Sequence, residues 1–276
     1  MYSYNDLVTK LGIEDNDIVR AHLKAIVNAL IVNNEAYIAK QMIYTDLYKV
    51  EYLWNLYLKL SSYFDYRYNS KIDLTKFFSY ILSNSDLNLN AIFCPGYTDN
   101  GYKNYIGGNN SKRLSTLKSL KEKLENENIK AKFHISLADI FLENTDNYEN
   151  TKWKDQLLIH TEKFVEKAKE NFTDDEIVIL SDVFSSDKYI KGFVETELLK
   201  GKNYDNFYKN NEKFYKKMNW SLSQTKERND KLYTIYTIIS RYINSQSNGI
   251  YLPMETMYSR SKVMTHNKVC TMYLHK

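Results

Sequence analysis

Three short apolar runs punctuate the middle of the chain: Ala91-Ile92-Phe93-Cys94, then AKFHISL from Ala131 to Leu137, then Ile177-Val178-Ile179-Leu180. Between them, apolar residues recur every three or four positions. Leu114, Leu117, Leu120 and Leu124 line one side of a segment starting at Ser111, and Trp153, Leu157, Phe164, Val165 and Ala168 do the same in the next. Period-3.6 segments alternating with short apolar runs predict strand–helix–strand–helix–strand. At this spacing the strands run parallel, joined by right-handed crossovers, which makes the class α/β.

The first ninety residues carry helical periodicity instead. Asp17 is a candidate cap for a helix through Val32. A second helix is expected from about Glu35 to Phe64, with Ile38, Met42, Ile43, Leu47, Val50, Trp54 and Leu58 on one face. A third starts at Asp73 and runs through Leu82, and SNSDLNLN (83–90) reads as a closing loop. No Gly/Ser/Pro tether follows. Residues 1–90 are therefore expected as an all-helical N-terminal region packed on an α/β domain of residues 91–276. Helical anchors return between Ser186 and Asn244. From Gly249 to His275 the residues favour strands, with a turn near Asn267, which predicts a C-terminal β hairpin.

Composition narrows the class without naming a chemistry. Hydrophobic residues are 43% and charged residues 26% of the 276, the balance of a folded chain. Net charge is +4 and only six of the 38 basic residues are arginine, too little to specify a polyanion partner. Cys94 and Cys270 stand far apart, with no CxxC or His/Cys cluster, so no metal and no cofactor is expected. The apolar stretch Ile18–Val32 contains Arg20, His22, Lys24 and Asn28, so it reads as a buried helix and not a membrane span. No secretory leader is visible in MYSYNDLVTKLG, and the expected address is cytoplasmic.

Candidate chemistry concentrates in one loop. Four of the eight glycines (Gly96, Gly101, Gly107, Gly108) and one of the two prolines fall between Cys94 and Gly108. The loop CPGYTDNGYKNYIGGNNSKR leaves the first strand's carboxyl end, where open α/β sheets bind ligands, and enters a helix whose first N–H groups attract anions. Gly96, Asp99, Gly107, Gly108, Ser111 and Arg113 are thus candidates to bind a polar or anionic small molecule. Asp139 in ADIF and Asp182 in SDVF end the next two strands and are added to that set. Neither GxGxxG nor GxxxxGKS occurs, which removes the usual support for dinucleotide and P-loop readings. A methyltransferase also places acidic residues after its second and third strands, but its GxGxG is missing. His134 sits inside a presumed strand and reads as structural. Cys94 is either a nucleophile activated by nearby amides or a buried, inert thiol.

From the third run onward the order of features is a strand ending near Asp182, SSDKYIKGF, NNEKFYKKM, a long helix, Tyr251-x-x-x-Glu255, and VCTMYLH containing Tyr273. This order resembles the tRNA-dependent cyclodipeptide synthases. The resemblance implies a Rossmann-like parallel sheet related to class I aminoacyl-tRNA synthetase catalytic domains, flanked by helices. It implies an ATP-independent transferase that takes activated amino acids from tRNA through an aminoacyl-enzyme. Tyr251 and Glu255 would hold the substrate amine and move protons, and Tyr273 would line the pocket. The family's nucleophilic serine after the first strand has no counterpart here, which leaves Cys94 and Thr98 as the nearby nucleophiles. Pro253 interrupts a segment that is helical in that family, and the first ninety residues are additional. The middle of the chain is also similar to isocyanide synthases, without the glycine after the Asp that ends their strand. A non-enzymatic ligand-sensing or partner-binding module is the alternative outside enzymology.

Overall fold

Short polar side chains set the starts of the N-terminal helices in the computed structural model, which describes residues 1–93, 109–137, 151–180, 182–183, 226–254, 264–265 and 267–275. The Asp6 N–H donates to Ser3 Oγ ahead of α1 (Tyr4–Lys10), and the Val19 N–H donates to Asn16 Oδ1 ahead of α2 (Asp17–Val32). The cap of α2 is therefore Asn16, one residue before the expected Asp17. Asn16 has the extended backbone that lets its carboxamide turn back onto the first turn.

The single helix expected over 35–64 is instead a hairpin followed by a shorter helix. β1 (Ala36–Ala39) pairs antiparallel with β2 (Met42–Thr45), and α3 spans Leu47–Leu60 behind an Asp46 cap. Ile38, Met42 and Ile43 fit both periods, and the tyrosines decide between them. Tyr37 and Tyr44 are directly opposite, with rings stacked at 4.4 Å, a cross-strand contact that a helix does not offer. The turn residues Lys40 and Gln41 have φ of 45° and 68°. A two-residue hairpin turn demands that left-handed backbone, which Asn-Gly supplies cheaply and Lys-Gln does not. α4 (Lys71–Leu82) starts from Ser70, whose Oγ accepts from the Asp73 N–H.

β3 (Leu87–Phe93), α5 (Asn109–Asn126), β4 (Ala131–Leu137), α6 (Thr151–Lys169), β5 (Ile177–Ile179), α7 (Lys226–Ser245), β6 (Gly249–Pro253) and β7 (Cys270–Thr271) follow. The five strands from β3 to β7 form one parallel sheet in the order β5-β4-β3-β6-β7, a Rossmann-like arrangement. The three apolar runs are its strands β3, β4 and β5, parallel as expected. The C-terminal strand pair corrects the expected hairpin, since β6 and β7 are parallel. Sixteen residues, 254–269, separate them, enough chain for the crossover that parallel strands need.

The sheet has two unlike faces. Leu87, Leu89, Ala91 and Phe93 of β3, Phe133, Ile135 and Leu137 of β4, and Ile250 and Leu252 of β6 form an apolar side, at most 1% exposed. Leu114, Leu117, Leu120 and Leu124 of α5 belong to the same core, as does Phe164 of α6, whose ring lies 5.3 Å from that of Phe93. The opposite side carries Asn88, Asn90, His134, Ser136 and Tyr251. There α7 approaches so closely that a Cβ on Gly249 would stand 2.1 Å from the Ile243 carbonyl oxygen.

The N-terminal region closes the β7 edge. The Thr271 N–H donates to Asp73 Oδ1 (3.0 Å) and Asn69 Nδ2 donates to the Thr271 carbonyl (2.7 Å). The Asp65 N–H donates to the Tyr273 carbonyl (2.8 Å), and the His275 N–H to the Tyr63 carbonyl (2.8 Å). Asp73 is buried, so Asp73→Ala strands a buried N–H and is expected to lower stability by about 2 kcal/mol in urea unfolding. A loss no larger than that of exposed Asp86→Ala would contradict this role. Gln41→Gly relieves the left-handed backbone and is expected to raise stability by about 1 kcal/mol in the same assay.

Candidate functional site

The crevice at a doubly wound sheet's carboxyl edge opens where neighbouring strands send their connections to opposite sides. In this order that place is the β3–β6 boundary. From β3 the chain leads to β4 on one flank, and from β6 it leads to β7 on the other. The two strands run in register, Asn90 beside Tyr251 and Ile92 beside Pro253, so they end side by side at Phe93 and Met254.

The predicted site residues divide accordingly. Cys94, Gly96, Thr98, Asp99, Gly107, Gly108, Asp139 and Glu255 lie outside the described residues. Ser111 lies in the first turn of α5 and Arg113 just after it, both half-buried, and the helix begins two residues before the expected Ser111. Asp182 is exposed just beyond β5. Tyr251 is 4% exposed and sits in the sheet interior beside the central strand. Tyr273 follows β7, and its ring lies 6.0 Å from that of Tyr68 in the N-terminal region. Tyr251 thus lies beside Asn90, two residues before the end of β6, and Tyr273 is set against a different neighbour.

Beside Tyr251, the polar face of β3 and β4 contains two kinds of buried group. The first is a closed network. His134 Nε2 pairs with Asn88 Oδ1 (2.9 Å), and Asn88 Nδ2 donates to the Ser247 carbonyl (2.6 Å). Burial, reinforced by the Lys132 charge and opposed by Glu176, pushes His134 down to about 4. It is therefore neutral at physiological pH, and as a base it is too weak for proton abstraction there. The second is open. Asn90 Nδ2 donates to Gln246 Oε1 (2.7 Å) and the Asn88 carbonyl (3.0 Å), while Asn90 Oδ1 has no partner. Ser136 Oγ has none either, and both residues are 0% exposed.

Thr237 Oγ1 on α7 is likewise unpartnered. Six residues separate Thr237 from Ile243, so its side chain is turned about 120° from the one that meets β6.

Other groups carry less chemistry. Cys270 is fully buried, and burial pushes its thiol well above the usual range, which makes it an inert core residue. No group of three His, Cys, Asp or Glu suited to a metal ion occurs among the described residues. No described helix is long and apolar enough to cross a membrane. A surface cleft of about 250 Å³ lined by Tyr48, Glu51, Tyr52, Asn55, Leu56, Lys59 and Glu127 lies beside α3 and the C-terminal end of α5, away from the carboxyl edge. Its Glu127 is already paired with Lys59 and Lys123.

Asn90 and Ser136 were absent from the sequence-derived candidates. The signal was the period-two alternation in LNLNAIF and AKFHISL, which places asparagines, a histidine and a serine on one face. In comparisons with family models, with curated proteins and with solved structures, nothing matches this chain.

His134 yields a pH prediction. Its folded-state affinity for protons is lowered, so the unfolded chain binds more protons between about pH 6.5 and about 4. The stability that neutral His134 contributes is complete above that window and is lost as pH falls through it. His22, lowered chiefly by its own burial, adds in the same direction. Urea midpoints across the window should fall steeply for the parent and less steeply for His134→Gln. Parallel profiles would refute the assignment.

Proposed function

We propose that this chain is a small-molecule transferase acting on an amino-acid-derived substrate, with its reaction centre where β3 and β6 end side by side. The reading follows the resemblance to the tRNA-dependent cyclodipeptide synthases. The observation that carries it is the in-register parallel pairing of β3 with β6. Two segments far apart in sequence, one continuing from Phe93 into Cys94-Pro-Gly-Tyr-Thr98 and one from Met254 into Glu255, leave neighbouring strands at the same level. That juxtaposition is what an aminoacyl-transfer centre requires of a nucleophile and a carboxylate.

In this reading Cys94 or Thr98 attacks the ester carbonyl of an aminoacyl-tRNA. The tRNA 3′-terminal ribose oxygen leaves with a proton, and the amino acid remains as an ester or thioester on the protein. The amine of a second aminoacyl-tRNA then attacks that carbonyl, forming the first amide and freeing the nucleophile. The first residue's amine next attacks the ester carbonyl that still joins the dipeptide to the second tRNA, which closes the ring and releases that tRNA. Glu255 holds the ammonium and takes the proton that the attacking amine must lose, and the Tyr251 hydroxyl orients it. Burial of Tyr251 supports this role, because a phenol inside the sheet keeps one orientation.

The test is expression in a bacterial host with mass spectrometry of the medium and of co-purified small molecules. Cyclic dipeptides are expected, lost with Glu255→Gln and reduced about 100-fold or more with Tyr251→Phe, the size of one removed catalytic hydrogen bond. Their absence from the parent culture rejects the reading. An isocyanide or a methylated product in their place would transfer the site to one of the other two enzyme classes.

A further inference from the structure

Among the described strand residues, the apolar side of the sheet presents no side-chain polar atom to satisfy, whereas the opposite side holds two without a partner. Asn90 Oδ1 and Ser136 Oγ are unpartnered on residues with no exposed surface. They share a face on adjacent strands. Asn90 is opposite His134, and Ser136 lies two residues further towards the carboxyl end of β4. That offset puts their Cα atoms about 8 Å apart, from a strand separation near 4.8 Å and a rise near 3.3 Å per residue.

What these atoms accept is restricted by their chemistry. A carboxamide oxygen only accepts, so its guest must bring an N–H or O–H. A hydroxyl both donates and accepts, so the same guest can also bring a carbonyl. Of the charged groups nearby, His134 is neutral and occupied by Asn88, Glu176 is paired with Lys121, and Lys132 at the amino end of β4 is exposed. An ionic guest would therefore be buried without a free counter-charge, which costs several kcal/mol. One bridging water spans about 6 Å with two hydrogen bonds, whereas a primary carboxamide, donating at one end and accepting at the other, reaches further.

We infer that Asn90 and Ser136 form a recognition site for a neutral primary carboxamide, the amide N–H donating to Asn90 Oδ1 and its carbonyl accepting from Ser136 Oγ. The inference deepens the proposed function and rests on its placement of the reaction centre. It gives the substrate a polar, uncharged side chain of the asparagine or glutamine type.

The test is thermal unfolding of the full chain with propionamide, glutamine methyl ester and leucine methyl ester at equal concentration, in the parent, in Ser136→Ala and in Ser136→Val. Ser136→Ala removes the hydroxyl, and Ser136→Val replaces it with a bulkier apolar group. Propionamide and glutamine methyl ester are expected to raise the parent's melting temperature by about 3 °C at saturating concentration. Leucine methyl ester, which has no carboxamide, is expected to do less, and both variants to lose the shift. Protection by propionamide but not by glutamine methyl ester supports the carboxamide site and counts against an aminoacyl substrate. Equal protection by the two esters leaves the transferase reading standing and overturns this one. Shifts that persist in either variant, or no shift from either carboxamide in the parent, overturn it too.

Discussion

The sheet depends on β3 being hydrogen-bonded in parallel on both sides, to β4 and to β6. A strand so placed has no edge and is covered on both faces, so every residue of it must suit an interior. Leu87, Leu89, Ala91 and Phe93 do so by packing, and Asn88 and Asn90 by hydrogen bonding. The insertion of β6 next to β3 also forces the chain to change flanks, and the crevice at the carboxyl edge is the geometric result. α7 must then return along the second face to reach β6 at its amino end. Gly249 permits that approach, because any side chain there would meet the Ile243 carbonyl.

A second constraint acts at the sheet's margin. β7 contributes two strand residues, and its outer N–H and C=O at Thr271 would face open space in a bare sheet. Open edges of this kind invite pairing with other chains. Here Asp73 supplies an acceptor and Asn69 a donor, so two side chains stand in for a sixth strand. Asp73 sits in the first turn of α4, where it also accepts from Ser70 Oγ. One carboxylate therefore joins the start of a helix to the end of the sheet. Through such contacts residues 63–76 and 268–275 hold one another in place, although about 200 positions separate them in the chain.

The parts of this fold legible in sequence are those where pattern and environment agree. The runs at 91–94, 131–137 and 177–180 gave parallel strands because buried parallel strands are continuous apolar segments flanked by amphipathic helices. Legibility failed where one residue type has two uses. Asparagine marks loops, and SNSDLNLN has a loop's composition, yet Asn88 and Asn90 are strand residues whose amides serve a buried face. Tyrosine fits a helix surface and a strand equally, and the Lys40-Gln41 turn lacks the Asn-Gly that announces a hairpin, so β1 and β2 were hidden inside an apparent helix. The parallel β6–β7 pair depends on the path of residues 254–269, which period and propensity do not encode. For the site, the switch point is a property of strand order alone. Tyr251 was reached through family likeness, while Asn90 and Ser136 emerge only once register sets them on one face.

The contrast between the two polar clusters bears on what the second face is for. In the first, Asn88 satisfies His134 and is itself satisfied by the Ser247 carbonyl, so burial of these groups is largely offset. In the second, each unpartnered atom costs about 1–3 kcal/mol relative to a satisfied one. Packing alone would be served as well by an aliphatic residue at 136, because β4 already carries Phe133, Ile135 and Leu137 on its other face without polar cost. Ser136 is one residue from the carboxyl end of β4, and Asn90 is beside Tyr251, so this cost is borne in the centre of the sheet, while another unpartnered oxygen, Asn69 Oδ1, lies at the β7 margin. Strain of this sort concentrates where a fold keeps groups ready for something other than its own atoms. The satisfied network nearer the amino ends of the strands braces β3, β4 and α7, and the unsatisfied pair nearer the carboxyl ends is what that bracing holds in position.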